Sequence, residues 1–340
     1  MRSAVVVHHL FNKNLLHFPI GRFRFGFLIV LLLFLSLCFL VGNISAQVVP
    51  KFAQRNFDAL SSRESFWIGS PNGLYQYRSA ENVWSVRGKQ NGLLSNAITR
   101  LGANGEELWI GQQNGLTIYN QQSNTMLSYD SARGIPGGKI LSFAFEDDYV
   151  WVGTARGAAR YDRLIEEWQK IGSAQGLVGE SVFEIVPRGS SVYLITEKAI
   201  NEYDPRYEKW RIYQSASDVA SVNDAFATAD RIWLFSDTGF VRFQFESKTF
   251  QRYPYGEVGE YQDIKSIFID GETFWLLTEK GLWFYDPQAD ALRPFLEIVN
   301  LPDSHIQCAS FSPDGKSIWF STGSGVSRFD RTAKSWQYFT

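Results

Sequence analysis

The chain offers few of the side chains that carry out acid–base, nucleophilic or metal chemistry. Of its four histidines, three fall within the first 17 residues, so His305 is the one histidine in the rest of the sequence. Its two cysteines, Cys38 and Cys308, are far apart. Zinc sites and two-histidine mechanisms need several such groups close together. The composition therefore excludes a histidine metal cluster, and we expect no metal and no other cofactor.

Short motifs give no stronger indication of catalysis. No phosphate-binding loop of the G-x-x-x-x-G-K-[ST] kind occurs. The segment Ser312–Lys316 carries a single carboxylate, which is too few for a calcium loop. A serine, histidine and acid triad would have to take His305 from a distant part of the chain. The sequence therefore predicts no catalytic residues.

A repeat of about 42 residues provides the elements that would position any functional side chain. An aromatic residue recurs seven times, 40 to 44 residues apart. These seven anchors are Trp67, Trp109, Trp151, Tyr193, Trp233, Trp275 and Trp319. Every anchor is followed after six positions by a small residue, after ten by Tyr or Phe, and after seventeen by a large apolar residue. Columns that keep register through seven units indicate a repeat architecture.

Each repeat carries the pattern of four short β-strands. Around an anchor, as in Leu108–Gly111, the apolar run is continuous, which predicts a strand covered on both faces. The small residue after it, Gly115 in this repeat, supplies the positive φ that closes a hairpin onto the next strand. An outer strand ends near the seventeenth position, and stretches such as Ile98–Leu101 form an inner strand. Four antiparallel strands make one blade of a β-propeller.

One blade alone would leave both of its apolar faces in water, so seven blades must stack into a closed ring. The sequence thus predicts an all-β fold over residues 55–340, a seven-bladed β-propeller of four-stranded antiparallel blades with the anchors packed between blades. Each repeat supplies its own strands, beginning at Phe57–Ser61, so no strand exchange between the chain ends is expected. Ala199 replaces the hairpin glycine of blade four and predicts a strained or altered hairpin.

An export signal precedes the ring. No acidic residue occurs before position 58, and four basic residues stand before the charge-free apolar run 25–41. A small residue, Ala46, then marks a cleavage site, which predicts a signal peptide over 1–46 and a short linker over 47–54. The apolar run also just reaches bilayer-spanning length, so an uncleaved membrane-anchor helix is the alternative. In both cases we expect the ring to be extracytoplasmic, either periplasmic or secreted.

The charge balance bears on the partner. Removing four of the 33 basic residues with the signal leaves 29 against 35 acidic ones, a net charge near −6. Such a surface does not favour nucleic acid or anionic lipid. Membrane contact is therefore expected only through an uncleaved N-terminal segment.

Two of the repeats resemble a known family. The stretches 108–111, 114–116 and 119, and equally 150–154, 156–157 and 161–162, resemble the two-component-regulator propeller repeat. The resemblance extends over most of the chain and is strongest in blades one to three, because later blades lose the glycine two positions after the anchor. It implies the periplasmic sensor region of histidine kinases and hybrid regulators, which binds carbohydrates or partner chains. Since no kinase or DNA-binding domain follows the last repeat, the resemblance implies a recognition module whose signal another protein would transmit.

In a propeller of this kind, the connections from each outer strand to the next inner strand reach the mouth of the central channel. Six polar residues of mixed charge in these connections form the predicted ligand-binding set: Asn96, Lys139, Glu180, Asn223, Asp263 and His305. Such a ring suits a neutral polyhydroxylated ligand or a protein loop better than a single anion. The leading hypothesis is a non-enzymatic, sensor-like module that binds a partner protein or an oligosaccharide on one ring face.

Two other functions stay open. The ring is also similar to the streptogramin lyases, which are seven-bladed propellers with a catalytic histidine and a metal, so a lyase or hydrolase would use His305 at the channel mouth. No motif of those enzymes is matched beyond the fold. The second alternative is a structural component of an envelope assembly, which predicts stable co-purification with membrane partners and no small-molecule ligand.

Overall fold

The computed structural model describes residues 58–62, 65–78, 80–214, 222–236, 239–254, 264–270, 273–278, 281–295, 306–312, 315–322 and 325–339. The predicted signal or anchor segment and the linker lie outside these residues, as does Phe57 at the expected start of blade one. Within the described ranges, no helix has the length and apolar character needed to cross a membrane.

The described residues form 28 β-strands and three single-turn 3₁₀ helices. The strands are β1 Asp58–Ser62, β2 Ser65–Ser70, β3 Gly73–Arg78, β4 Val83–Arg87, β5 Ile98–Asn104, β6 Glu107–Gln112, β7 Gly115–Asn120, β8 Thr125–Asp130, β9 Ile140–Phe145, β10 Tyr149–Thr154, β11 Gly157–Asp162, β12 Glu167–Ile171, β13 Val182–Arg188, β14 Ser191–Thr196, β15 Ile200–Asp204, β16 Lys209–Tyr213, β17 Val222–Ala227, β18 Arg231–Ser236, β19 Gly239–Gln244, β20 Phe250–Pro254, β21 Ile264–Asp270, β22 Thr273–Thr278, β23 Gly281–Asp286, β24 Ala291–Pro294, β25 Ile306–Phe311, β26 Ser317–Thr322, β27 Gly325–Asp330 and β28 Ser335–Phe339. The 3₁₀ turns are Lys89–Asn91, Ser131–Arg133 and Ser173–Gln175.

Seven four-stranded antiparallel sheets, the blades, each contain four consecutive strands. Blade one is β1 to β4 and blade seven is β25 to β28, so each blade is complete without a strand from the other end of the chain. The predicted propeller and its unshared closure are both confirmed.

All seven anchors are buried, with at most 5% of their surface exposed. Each sits in the second strand of its blade and packs against the following blade. Trp109 of β6, for example, meets the rings of Phe143 and Phe145 in β9 edge-on, with centroids 6.0 and 5.7 Å away. The burial of large aromatic side chains between sheets supplies much of the energy that holds neighbouring blades together. The predicted role of the anchors is confirmed.

The ring closes through an aromatic cluster between blades seven and one. Trp319 of β26 stacks on Phe66 of β2 with ring centroids 4.7 Å apart, and it also lies 5.1 Å from Tyr77 of β3. Phe339 of β28 packs edge-on against Tyr77 at 5.2 Å. Trp319 thus packs between blades seven and one, as the other anchors pack between successive blades.

The hairpin glycines are required by their backbone conformation. Gly73, Gly115 and Gly157 have φ values of +141°, +151° and +117°. A Cβ at Gly115 would lie 2.3 Å from the carbonyl oxygen of Tyr129 in the adjacent strand. In blade four Ala199 is not among the described non-glycine residues with positive φ. Its hairpin is therefore altered rather than strained, and the next strand begins one residue later.

The hairpin between the third and fourth strands contains a feature that the sequence columns did not reveal. Fifteen residues after every anchor, a non-glycine residue has φ between +48° and +58°, in the left-handed region. These residues are Asn82, Asn124, Glu166, Glu208, Lys248, Asp290 and Lys334. Most of these turns begin with Asp or Asn; Asp162, for example, accepts hydrogen bonds from the N–H groups of Leu164 and Ile165 at 2.9 and 3.3 Å. This local bond makes a tight turn that tolerates the left-handed residue.

Candidate functional site

One face of the ring carries the connections that the sequence pointed to. Because the strands of a blade alternate in direction, each connection between blades emerges at the same end as the hairpin between the second and third strands. Backbone hydrogen bonds join the two: Gly157 N–H donates to the Glu180 carbonyl at 2.7 Å, and Ala155 N–H to the Lys139 carbonyl at 3.0 Å. We call this side of the ring the loop face.

A cleft of about 340 Å³ opens on the loop face where blade three meets blade four. It is lined by Arg156, Gly157, Gly172, Ser173, Ala174, Gln175, Gly179 and Glu180. The lining combines a guanidinium, a carboxylate, a hydroxyl and an amide with bare glycine backbone, and it has no aromatic ring. The volume is at the small end of the range for ligand sites, so the cleft fits a small polar group or the end of a chain.

The wall that carries Ser173–Gln175 is shaped by its own sequence. The Gln175 side-chain oxygen accepts a hydrogen bond from Gly172 N–H at 3.0 Å, and Gly176 ends the 3₁₀ turn with φ +105°. A Cβ at Gly176 would lie 2.8 Å from the indole of Trp210, the seventeenth-position residue of blade four. Gly134 faces Trp168 in the same way in the preceding connection. The seventeenth-position column thus supports the connections of the loop face.

Blade four holds the other end of this wall in place. The Glu197 carboxylate accepts hydrogen bonds from the N–H groups of Glu180 at 3.0 Å and Ser181 at 2.9 Å. The fully buried Asn201 accepts from Val178 N–H at 2.9 Å and donates to the Val178 carbonyl at 3.1 Å. The backbone of the connection is therefore fixed, so the exposed side chain of Glu180 projects from a rigid support.

Arg156 stands at the tip of the blade-three hairpin, which also lines the cleft. Its side chain passes over two glycines of the preceding connection: a Cβ added at Gly137 would lie 3.7 Å from Arg156 Cδ, and one added at Gly138 3.6 Å from Arg156 Cγ. Gly138 has φ +91°, a conformation that favours glycine. The stem of Arg156 is thus accommodated by bare backbone beneath it.

The charged ends of Arg156 and Glu180 have no partner among the described residues: neither side chain has a hydrogen bond or an ion pair there. Among the arginines of the described ranges, Arg156 is alone in having no hydrogen bond, ion pair or aromatic ring as a partner of its guanidinium. Each of the others has a side-chain partner, as Arg133 has in the Ser128 carbonyl at 2.9 Å. The cleft therefore presents one uncommitted cation and one uncommitted anion.

The predicted ligand-binding residues fall into three groups in the structure. Asn96, Lys139 and Glu180 are exposed in three successive connections of the loop face, but only Glu180 lines the cleft. Asn96 Oδ1 accepts a hydrogen bond from Lys89 N–H at 2.7 Å, so this oxygen braces its own connection. Asn223 lies inside β17 instead of in the connection before it, at a bulge of the inner strand. Asp263 and His305 lie outside the described residues, and ligand binding by the set stays a prediction.

Arg156 was missed because an arginine at a hairpin tip resembles a solvated turn residue. A signal was present in the repeat. Five positions after the anchor, blades one and two have Asn72 and Asn114, and blades three and four have Arg156 and Lys198. The change from amide to cation at a fixed position of the loop face is the sequence feature that could have identified it.

A second polar cluster faces the ring axis. Arg100 of β5 lies 3.7 Å from the carboxylate of Glu184 in β13, so blade two reaches past blade three to blade four. Burial raises the pKa of Glu184 to about 8; the Arg100 guanidinium opposes this shift, and the Asp224 carboxylate of β17 adds to it. In blade three the equivalent position is Ser142, whose hydroxyl donates to the Val182 carbonyl at 3.1 Å. The described residues contain no group of three His, Cys, Asp or Glu side chains able to hold a metal ion.

Comparison with known proteins gives the fold its relatives. No family model and no curated protein matches the chain. Solved structures do match. The extracellular domain assigned to a hybrid two-component system of B. thetaiotaomicron has a TM-score of 0.64 at 15% identity, covering 81% of this chain and 40% of that one. A one-component system's extracellular domain from the same organism has a TM-score of 0.63 at 19% identity, covering 82% and 39%.

This chain has the propeller fold of those extracellular domains. The resemblance to the two-component-regulator propellers is thereby confirmed at the level of the fold. PorZ, a surface component of the type-IX secretion system of Porphyromonas gingivalis, also matches, with a TM-score of 0.62 at 8% identity, covering 84% of this chain and 38% of that one. The chain spans about two fifths of the length of these proteins.

Proposed function

We propose that this chain is an extracytoplasmic, non-enzymatic recognition module that binds a partner protein or an oligosaccharide through the loop face of its propeller. The observation that carries the proposal is the polar cleft between blades three and four, with its uncommitted Arg156 and Glu180. Its walls are rigid, which lowers the cost of ordering the site when a ligand binds. Two of the structural relatives are extracellular domains of sensor-type systems, and this supports the sensor-like role.

The test combines a thermal-shift screen of glycans with pull-down from native membranes by the exported chain. We expect at least one glycan or one membrane protein to bind, and the double variant Arg156→Ala/Glu180→Ala to lose that binding without loss of folding. The matched control is Glu167→Ala/Lys209→Ala, which removes one exposed charge of each sign from the outer strands β12 and β16. Equal loss of binding in both double variants, or no binding by the unaltered chain, would contradict the proposal.

Export belongs to the same proposal. The apolar run 25–41 with its basic flank supports it, as do relatives that are extracellular domains. We expect signal cleavage before Gln47, which sequencing of the mature N-terminus would reveal. A mature chain that retains residues 25–41 and fractionates with membranes would instead establish the anchored form. Retention of the chain in the cytoplasm would contradict both.

A structural part in an envelope assembly is the second candidate. The match to a surface component of a secretion system favours it. It predicts stable co-purification with membrane proteins that the Arg156→Ala/Glu180→Ala variant does not abolish. A lyase or hydrolase reaction at His305 has no such support; if the chain turns over a substrate, His305→Ala should abolish turnover without unfolding the protein, and unchanged turnover would remove this reading.

A further inference from the structure

The loop-face cleft carries its charges in an arrangement that selects a class of ligand. Arg156 stands on the hairpin of blade three and Glu180 on the connection to blade four, and both line the cleft. Although both line one cleft, they form no ion pair with each other. An arginine fork pairs best with a carboxylate, and a carboxylate accepts the N–H donors of an ammonium group. Two opposite charges in one cleft that are not paired with each other are complementary to a ligand that bears both signs.

We infer that this cleft binds a zwitterion of the size of an amino acid or a short peptide, with its carboxylate on Arg156 and its ammonium group on Glu180. The inference rests on the proposed recognition function and specifies the ligand of that site. The two charges cancel, so the cleft has no preference for a net anion or cation. The absence of an aromatic ring from its lining removes the stacking platform on which a sugar face would lie.

The remaining lining groups fit the same ligand. Ser173 and Gln175 are exposed at the rim and offer a hydroxyl and an amide to a peptide backbone. Gly157, Gly172 and Gly179 leave the floor without side chains, so a main chain can approach closely. Gly179 itself has no room for a side chain, since a Cβ there would lie 2.3 Å from the Thr196 hydroxyl.

Both residues stand on ordered parts of the loop face. Glu197 holds the backbone of Glu180 through the residue's own N–H, and the stem of Arg156 rests over Gly137 and Gly138. The backbone that carries the two charged side chains is therefore ordered before the ligand arrives, which lowers the cost of binding. A charge that is only solvated at the surface would need neither the Glu197 hydrogen bond nor the space over Gly137 and Gly138. Both contacts therefore support a binding role for Arg156 and Glu180.

The experiment uses the exported chain and measures binding of glycine, diglycine and triglycine by NMR titration. For whichever of the three binds best, N-acetylation removes the ammonium charge and C-terminal amidation removes the carboxylate. Each change should weaken binding about tenfold, the effect of losing one charge-assisted hydrogen bond in a partly exposed site. Blocked and free peptides that bind equally, or no binding of any of the three, would overturn the inference.

Paired variants assign the two ends. For Arg156→Gln, C-terminal amidation should no longer weaken peptide binding, whereas N-acetylation still should. For Glu180→Gln, N-acetylation should no longer weaken peptide binding, whereas C-terminal amidation still should. Arg133→Gln, which alters an arginine in the preceding connection, is the control and should leave both dependences intact.

A neutral oligosaccharide such as maltohexaose is titrated in parallel. If it binds in an Arg156-dependent manner and the peptides do not, the recognition function stands and the zwitterion inference fails; if neither binds and no membrane partner is captured, both fail.

Discussion

Blades one to three and blades four to seven are built from one repeat but approach their neighbours in different ways. Two residues after the anchor, the first three blades have Gly69, Gly111 and Gly153. A Cβ at any of them would lie between 2.1 and 2.7 Å from an inner-strand residue of the same or the next blade. The later blades place Ile195, Phe235, Leu277 and Ser321 at this position. The early interfaces thus depend on close approach of backbone, and the later ones have space for side chains.

Between blades five and six that space is filled with rings. Between blades five and six, Trp233 lies 4.9 Å from Phe274 and 4.8 Å from Tyr285, and Phe226 and Phe235 stack beside them. The cluster between blades two and three is mostly aliphatic in its buried part. One architecture is therefore stable with two different packings, which shows why the repeat pattern weakens after blade three while the fold does not.

Blade four is the boundary, and its anchor is the one that is not tryptophan. The Tyr193 hydroxyl accepts a hydrogen bond from the ammonium group of Lys248 in blade five. Lys248 lies 3.7 Å from the buried Glu202, whose carboxylate also accepts from the Tyr213 hydroxyl at 2.6 Å. Burial acts to raise the pKa of Glu202, but the Tyr213 hydrogen bond and the Lys248 charge outweigh it and hold this pKa below its usual range. A polar network replaces the indole at the interface where the packing changes.

The largest expected effect on the free energy of unfolding comes from truncating the anchor tryptophan in one interface of each kind. Truncation of a buried tryptophan costs about 3–5 kcal/mol through lost burial and a cavity. We expect Trp233→Ala to cost more than Trp109→Ala in urea unfolding, because Trp233 loses four ring contacts where Trp109 loses two, each worth about 0.5–1.5 kcal/mol. Equal losses would show that the aromatic interface has no advantage over the aliphatic one.

A smaller change tests the close approach directly. Gly153→Ala would place a Cβ 2.5 Å from the Val182 carbonyl oxygen, a backbone atom that cannot move aside cheaply, and should cost about 1–3 kcal/mol. The matched control is Ser321→Ala at the same repeat position in blade seven. The Ser321 hydroxyl is buried without a hydrogen-bond partner among the described residues, so its removal should be neutral or slightly stabilising. Similar melting temperatures for the two variants would contradict the proposed difference.

The comparison of the blades also shows which features of the fold could be predicted from the sequence. The anchors predicted the blades, their number and their order, because every unit buries a large aromatic side chain at the same position between sheets. The residues fifteen after the anchor could not be recognised as a column, since no single side-chain property is common to Asn, Glu, Lys and Asp and all seven agree only in backbone conformation. That conformation follows from the hydrogen bonds of the turn, which a comparison of residue types does not show.

The candidate site was predictable only in part for a similar reason. Glu180 was found because the connections between blades could be located from the repeat. Arg156 was not, because its importance lies in the partner it lacks, and a missing partner is visible only in three dimensions. Asn96 was predicted for a ligand, yet one of its two side-chain polar atoms is occupied by its own connection.

The inner strands of blades three and four differ in a way that makes stability depend on pH, since blade four has Glu184 where blade three has Ser142. The folded protein keeps a proton on Glu184 up to about pH 8, whereas the unfolded chain releases it near the ordinary value of 4.5. Folding therefore takes up a proton between these values, and stability falls as the pH rises through that window. Glu184→Gln should flatten this decline, so that the melting temperature of the variant, relative to that of the unaltered protein, rises from pH 5 to pH 8.

The control for that experiment is Glu167→Gln, which changes an exposed carboxylate on β12. It should leave the pH profile of unfolding as it is. A melting-temperature difference for Glu184→Gln that is the same at pH 5 and pH 8 would show that the carboxyl of Glu184 titrates alike in the folded and unfolded chains.

The smallest expected effect concerns the left-handed turn residues, which are Asn in blades one and two, Asp in blade six and Glu or Lys in the other four blades. A left-handed conformation costs an ordinary L-residue about 1–2 kcal/mol, and glycine avoids most of this. Glu208→Gly should therefore stabilise blade four by about 1 kcal/mol. Asn124→Gly should not, because Asn tolerates the conformation and its side chain accepts a hydrogen bond from the Tyr119 hydroxyl at 3.0 Å. Chemical denaturation of both variants decides the point: a gain from Asn124→Gly as large as that from Glu208→Gly would mean that the side-chain bond adds nothing to the early hairpins.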